Sequence, residues 1–548
     1  MTNLETVLAY HQQTKHRFER YARGPGKMDW ATQPELFRRY HGAQLLQLEI
    51  TEPENEPLYT AIFAADGSIP SAALHYRSIS QLLYDSMALS AWKSVGEVSW
   101  PLRVNPSSGN LHPTECYLLC GAVTELCAQP LVTHYAAKEH GLETRAVIPG
   151  KAWEGLTAGL PAGTLLLGFS SIHWRESWKY GERAYRYCQL DVGHALAAVT
   201  LAAAALGWEA QLLDSIGSEQ LGHLFGIAGQ QGADAEEPDC LLAIFPRGSA
   251  KSQLTLPTEI LPAFESLDWQ GVPNRLSPAS REWKIIDEVA EASRKPDQPQ
   301  VYQPLPPALP AVSHAPFTGS FRKIVRQRRS AVAMDGVSSM SPSSFFALLE
   351  RTVSRAKIPP FSLLPWPSCV DLVLFVHRVE GLHPGIYLLL RNREHLDEMR
   401  ELMDVEFLWE KPPGCPAGLE LYLLSAGDAR NTAMEISCGQ DIAAEGCFSL
   451  GMLARFSCNL EDMGPWFYPR LFWECGMIGQ VLYLEAEALE LRGTGIGCFF
   501  DDPLHELLGL HGILYQDLYH FTVGGPVEDR RLATMPAYQE KKLTNDYR

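Results

Sequence analysis

Two long stretches of the chain are almost continuously apolar. Tyr185–Trp208 (YRYCQLDVGHALAAVTLAAAALGW) and Leu471–Thr494 (LFWECGMIGQVLYLEAEALELRGT) are too long for strands and rich in alanine and leucine, so each predicts a buried helix ending at glycine. Shorter apolar runs, Glu115–Val123 and Asp371–Val379, have strand length and predict strands. Apolar residues at helical spacing predict two further helices, at Trp283–Arg294 and Pro342–Val353. Helices alternating with short β-branched strands predict an α+β fold with an antiparallel-rich sheet.

The elements recur in the same order. Gly193 pairs with Gly479 and Gly207 with Gly493 at one separation; His223–Ile227 pairs with Glu506–Leu510 at a slightly shorter one. Upstream, the two strand runs pair, and Tyr135 pairs with Tyr387. A repeat of this length predicts two related domains, at 71–250 and 317–548, behind an extension at 1–70. Between them, 251–316 reads as a linker, because Lys295–Pro316 holds prolines at 296, 299, 304, 306, 307, 310 and 316. A chain of 548 residues is too long for one core, in agreement.

Composition narrows the class only slightly. Hydrophobic content of 46% and charged content of 20% describe an ordinary globular protein, and a formal charge of −18 argues against a nucleic-acid partner. No run of apolar residues reads as a membrane span and no signal peptide is visible, which predicts a cytoplasmic protein. Twelve cysteines are scattered without a CxxC pair and read as reduced structural thiols.

Candidate chemistry begins at Arg103-Val-Asn-Pro106-Ser107-Ser108-Gly109-Asn110-Leu-His-Pro-Thr-Glu115. Proline stiffens this turn, the hydroxyls and amide supply polar atoms, and glycine permits close approach, which suits a flat ligand with polar edges. The second half opens with Ile324-Val-Arg-Gln-Arg328-Arg329-Ser330. Paired guanidinium groups and a hydroxyl match phosphate. It later carries Gly493-Thr-Gly495-Ile496-Gly497, whose glycines would expose backbone N–H groups, and Val523-Gly-Gly-Pro526-Val-Glu-Asp-Arg530-Arg531.

These motifs resemble those of the nitroreductase-like flavoproteins: the Pro-Ser-Ser-x-Asn loop, the opening Arg-Arg-Ser, a glycine turn after the long helix and a basic residue behind a closing glycine-proline turn. The resemblance implies an FMN-dependent oxidoreductase with two nitroreductase-like domains forming an intrachain pseudo-dimer. In that family one subunit supplies the serine loop and its partner the rest of the site. Here Leu364–Val370 lacks the glycine and asparagine of the front loop, and Tyr76-Arg77-Ser78 is a poor Arg-Arg-Ser. The implied single composite FMN site therefore joins Arg103, Pro106, Ser107, Ser108 and Asn110 to Arg328, Arg329, Ser330, Gly495, Ile496, Gly497 and Arg531.

Trp178-Lys179-Tyr180-Gly181 before the first long helix resembles the Lys-Tyr motif of SagB-type dehydrogenases, which oxidise thiazolines and oxazolines. The resemblance implies Lys179 and Tyr180 as catalytic residues that remove a proton while hydride passes to flavin. Crowding by Arg175, Arg183 and Arg186 would favour Lys179 as base; Pro465 and Trp466 align with the pair in the second half. His194 reads as a core histidine. The expected substrate is a small or peptide-derived molecule, with NAD(P)H or oxygen as redox partner and a monomer acting as the pseudo-dimer. A general NAD(P)H-dependent nitro or quinone reductase is the alternative enzyme, and a non-catalytic flavin-binding or scaffold protein the alternative class. His11 and His16, five apart in the extension, do not share a helical face as a metal pair would, and no metal is expected. The extension reads as an arm packing over the pseudo-dimer.

Overall fold

A computed structural model describes residues 1–50, 53, 55–64, 67–250, 253–298, 302 and 319–538. Most of the proline-rich segment, and the ends of the second predicted domain at 317–318 and 539–548, lie outside the described residues.

Each half is built on an antiparallel sheet. The front sheet takes β1 (Leu45–Gln47), β2 (Thr114–Cys120), β3 (Leu131–Ala136), β4 (Gly141–Val147), β5 (Leu165–Ser171), β6 (Trp208–Leu212) and β7 (Glu237–Pro246), in the order β1-β4-β3-β2-β5-β7-β6. The rear sheet takes β8 (Val370–Val376), β9 (Gly385–Leu389), β10 (Leu421–Ala426), β11 (Phe448–Arg455), β12 (Arg492–Ile496) and β13 (Tyr515–Gly524), in the order β10-β9-β8-β11-β13-β12. The five strands β3-β2-β5-β7-β6 match β9-β8-β11-β13-β12 one for one. In both sheets a glycine sits on the strand beside the central one, with Tyr117 opposite Gly168 and Val373 opposite Gly451.

Alternation of side chains sorts the residues of each sheet into two cores. Leu118, Leu372 and Leu374 face a shared interior that contains both long helices. Tyr117 and Leu119 face an outer core of the front half, while Val373 and Phe375 face that of the rear half. The halves therefore share one interior.

The long helices span Ala184–Ala205 and Tyr468–Ala488, and every residue of both is buried. They cross where a Cβ on Gly193 would lie 2.3 Å from the carbonyl oxygen of Trp473, and one on Gly476 would lie 2.1 Å from that of Leu190. The contact is reciprocal, as at a twofold axis. The same separation of 283 positions relates Gly181 to Gly464 and Gly226 to Gly509, all with positive φ. Gly207, which ends the front helix at φ 69°, corresponds at this separation to Glu490 at φ 59°.

That register corrects the pairings of Gly193 with Gly479 and Gly207 with Gly493. The rear helix stops at Ala488 rather than Thr494, because Arg492–Ile496 is drawn into β12 by its ladder with β13. The structural counterparts of Lys179 and Tyr180 become Asp462 and Met463, not Pro465 and Trp466. A membrane-span reading also shifts: His173–Ala205 is long and apolar enough to cross a membrane by length and composition, but its apolar window is wholly buried inside the fold. The smaller predicted helices form at Lys284–Ala292 and Pro342–Thr352, the latter capped by the Ser341 hydroxyl accepting from Ser344 N–H.

The arm packs across both halves. Its helix Asn3–Gln13 donates from Tyr10 to the Glu182 carbonyl and places His11 between Tyr468 and Gln516. Farther on, Trp178 donates to the Asp29 carbonyl and Trp30 meets Trp178 edge to face. The arm thus covers the helix His173–Tyr180.

Candidate active site

A cleft of about 690 Å³ opens between the halves. From the front half it is lined by Arg103, Asn105, Pro106, Ser107, Asn110 and His112, and from the rear half by Arg328, Arg329, Ser330 and Arg492.

Arg492 is paired with Glu487, whereas Arg103 and Arg328 have carbonyl and ring partners instead of a carboxylate. Arg103 donates to the Leu36 carbonyl and lies over the Phe37 ring, while Arg328 donates to the Arg103 carbonyl and lies over Tyr483. Both guanidinium groups are buried, and each leaves its Nε without a hydrogen-bond partner. Burial lowers the pKa of both, and burial with Arg328 nearby brings Arg329 down to about 10. Buried donors without acceptors are costly, so an anion bound here would recover energy the fold has forgone. Two carboxylates, Glu528 and Asp529, lie at the rim, and Asp529 is already paired with Arg531.

The serine loop is fixed from beneath. Ser108 donates from its N–H and its hydroxyl to Asp191 on the front long helix. Burial pushes the Asp191 carboxyl up to about 7, against those bonds. His112 N–H donates to the Ser107 hydroxyl, and Asn110 donates its amide to the Pro101 carbonyl. That orientation turns Asn110 Oδ1 toward His112 Nε2 at 3.0 Å, which makes Nε2 the protonated nitrogen. His112 Nδ1 is left as a buried acceptor without a partner, and burial holds this imidazole far below its ordinary pKa. His112 was not among the expected site residues; its place inside the loop motif is the only signal that could have singled it out.

The rear glycine turn joins the same assembly through tyrosines. Tyr483 Oη lies 2.9 Å from the Ser330 hydroxyl and accepts from Gly495 N–H, and Tyr187 donates to the Gly497 carbonyl. A Cβ on Gly495 would lie 1.8 Å from the Tyr519 hydroxyl, so only glycine fits there. Ile496 points away, into the rear outer core. Arg531 does not join the cleft: its side chain is 81% exposed and pairs with Asp529.

Lys179 and Tyr180 sit above the serine loop. A Cβ at Gly109 would lie 2.5 Å from the Tyr180 hydroxyl and 3.0 Å from Lys179 Nζ. The Tyr180 ring packs on Tyr187, with centroids 4.6 Å apart, which links the pair to Gly497. Burial, reinforced by Glu176, keeps the Tyr180 hydroxyl protonated. The crowding expected around Lys179 is not found. Arg175 pairs with Glu115, and Arg183 and Arg186 both pair with Asp501, so their charges are met elsewhere. Below the pair, Glu176 is fully buried with neither oxygen hydrogen-bonded, and burial raises its pKa strongly. His194 is a core residue, with Nε2 3.3 Å from the Tyr519 hydroxyl.

Residues 77–244 match the family model described as "Nitroreductase family". This part of the chain, under a third of its length, is similar to that family. It contains the serine loop, the Lys-Tyr helix and the front long helix. No curated protein sequence matches the chain. Among solved structures, a protein assigned as a nitroreductase from Anabaena variabilis is similar over 95% of this chain and 99% of its own, at 20% identity and a TM-score of 0.67. That similarity shows a shared fold along nearly the whole length, rear half included. A protein assigned as a nitroreductase from Ralstonia eutropha matches over 40% of this chain and 97% of its own, at 15% identity and a TM-score of 0.27. The microcin synthetase McbBCD complex of E. coli contains a chain matching over 44% and 92%, at 17% identity and a TM-score of 0.25. The last two are too distant in shape to inform the site.

Proposed function

We propose that the chain is an FMN-dependent oxidoreductase that holds one flavin in the cleft between its halves. The carrying observation is that Arg103, Ser107 and Asn110 of one half and Arg328, Arg329 and Ser330 of the other line a single cleft. The free N–H groups of Arg103 and Arg328 suit a phosphate, and His112 Nδ1 suits a hydroxyl or ring N–H. The cleft volume falls within the roughly 300–1,000 Å³ usual for cofactor sites. When bound, the flavin would supply hydride transfer, which no side chain can perform.

The protein's own part is proton handling and positioning. In this reading Lys179 is the base that takes a substrate proton, and Tyr180, kept as a hydroxyl, the donor that orients the reacting group. This arrangement supports a dehydrogenase of the SagB type acting on a small or peptide-derived azoline-like ring, with oxygen or a nicotinamide as the other redox partner. A second reading, a general NAD(P)H-dependent nitro or quinone reductase, is favoured by two facts: the arginines near Lys179 are neutralised, and Lys179 does not line the arginine cleft. In both readings one chain suffices, since both halves of the site lie within it.

Reconstitution with FMN tests the cofactor. A yellow protein carrying about one flavin per chain is expected; a chain that stays colourless with excess FMN overturns the proposal. Lys179→Ala separates the two reactions. Loss of azoline oxidation with retained nitroarene reduction supports the dehydrogenase, and an absence of azoline oxidation in the wild-type protein leaves the reductase.

A further inference from the structure

Twelve cysteines are present, and two of them are brought together by the rear half. Cys438 follows the helix Arg430–Ile436, and Cys498 follows the glycine turn after β12. They are 60 positions apart, yet their Sγ atoms are 2.9 Å from each other and both side chains are partly exposed. The approach is built by the surrounding backbone. Gln440 donates its amide to the Cys498 carbonyl, and Phe500 N–H donates to the Ile436 carbonyl, so the two segments are laced on either side of the sulfurs. Cys438 takes φ 55°, a left-handed conformation that a non-glycine residue adopts only when its surroundings impose it.

The environment distinguishes the two thiols. His16, from the arm, accepts from Ala22 N–H at Nδ1, which leaves Nε2 as the protonated nitrogen, and this imidazole favours the Cys498 thiolate. Hydrogen bonding with Cys438, helped by His16 and Arg183, brings the Cys498 thiol down to about 5 against the effect of burial. The same bond, with burial, raises Cys438. One member of the pair is thus poised as a thiolate and the other remains a thiol. By contrast, Cys120 and Cys127 are 4.0 Å apart with Cys120 buried in β2, and lack a histidine or arginine partner.

We infer that Cys438 and Cys498 form a redox-active dithiol that exchanges with low-molecular-weight disulfides. Cys498 thiolate attacks one sulfur of the small disulfide, forming a mixed disulfide and releasing one small thiolate. Cys438, losing its proton to solvent, then attacks Cys498 Sγ, forming the internal disulfide and releasing the second small thiolate. The two cysteines lose two electrons and two protons, and one small disulfide becomes two small thiols. The bond would tie the turn at Cys438 to Gly497, whose carbonyl accepts from Tyr187, so the redox state reaches the candidate site through one residue.

The test uses the full-length chain, reduced, desalted and treated with oxidised glutathione, followed by alkylation and peptide mass spectrometry. The expected product is a cross-linked peptide pair joined at Cys438 and Cys498, reversed by dithiothreitol. Cys438→Ser is expected to hold one glutathione on Cys498, and Cys498→Ser none on Cys438. Both cysteines remaining fully alkylatable in the treated wild-type chain overturns the inference, as does a Cys438→Ser chain without glutathione on Cys498. Because the wild-type result requires no substitution, a variant that fails to fold leaves the test intact.

Discussion

The arginine-lined cleft has a counterpart across the twofold, and the two have kept the same space while diverging in chemistry. The counterpart, about 610 Å³, is lined by Thr200, Trp208, Glu209 and Arg247 of the front half and Lys357, Pro359 and Ser362 of the rear half. Tyr483, which ties Ser330 to Gly495 in the first cleft, corresponds to Thr200, whose hydroxyl instead donates to Leu196 of its own helix. Arg492 corresponds to Glu209, a reversal of charge. Asp191, which holds the Ser108 N–H, corresponds to Glu474, which accepts from Cys369 N–H and pairs with Arg391. A cleft between two packed sheets is kept open by the frame around it, so its volume persists when its lining changes. Cofactor preference must then be sought in the lining.

Four predictions sharpen or break this contrast. The largest concerns the axis that relates the clefts: Gly193→Ala should destabilise the chain by about 3 kcal/mol or more, because the new Cβ meets a helix backbone that cannot give way. Chemical denaturation would measure it, and a wild-type midpoint would mean the crossing is looser than described. Next, Arg328→Ala and Arg329→Ala should each weaken FMN binding about tenfold to a hundredfold, as expected for about 1.5–3 kcal/mol per charged hydrogen bond. Arg247→Ala in the counterpart should leave it unchanged. Equal losses in a flavin fluorescence titration would make the clefts equivalent and end the one-site reading.

Gly109→Ala should cost about 1–2 kcal/mol for its left-handed backbone, and should also displace Tyr180. Substrate turnover should fall further than FMN affinity, whereas equal falls would place Tyr180 on the cofactor rather than on the reaction. The remaining prediction is a pH dependence. Asp191, raised from 3.8 to about 7, binds its proton more tightly in the folded chain than in the unfolded one. Its contribution to stability is therefore full below pH 4, declines as pH rises toward 7, and is flat above. Stability curves of Asp191→Asn against wild type should differ in slope only inside that window. Parallel curves would show that the carboxyl titrates normally.

Much of this was legible in residue order. Length and nearly unbroken apolar content marked both long helices, and Arg103, Ser107, Asn110, Arg328, Arg329 and Ser330 could be nominated from motifs and now line one cleft. The repeat was visible too, but its register was misread by three positions in the long helices. Glycine looks alike wherever it falls, whereas Gly193 and Gly476 are set apart by what presses on them. Arg531 was misplaced for a similar reason: adjacency to Asp529 offered it a nearer partner than the cleft. His112 and Glu176 went unnoticed because their meaning lies in missing partners, and a string of letters does not record which atoms are left unbonded.

Local order along the chain therefore determined the elements, their faces and the polar groups available to a site, since these follow from spacing alone. Tertiary structure alone decided which cleft gathers the guanidinium groups, which thiols meet and which charges are neutralised. Those outcomes depend on distances between residues from 60 to more than 300 positions apart, which only the folded chain sets.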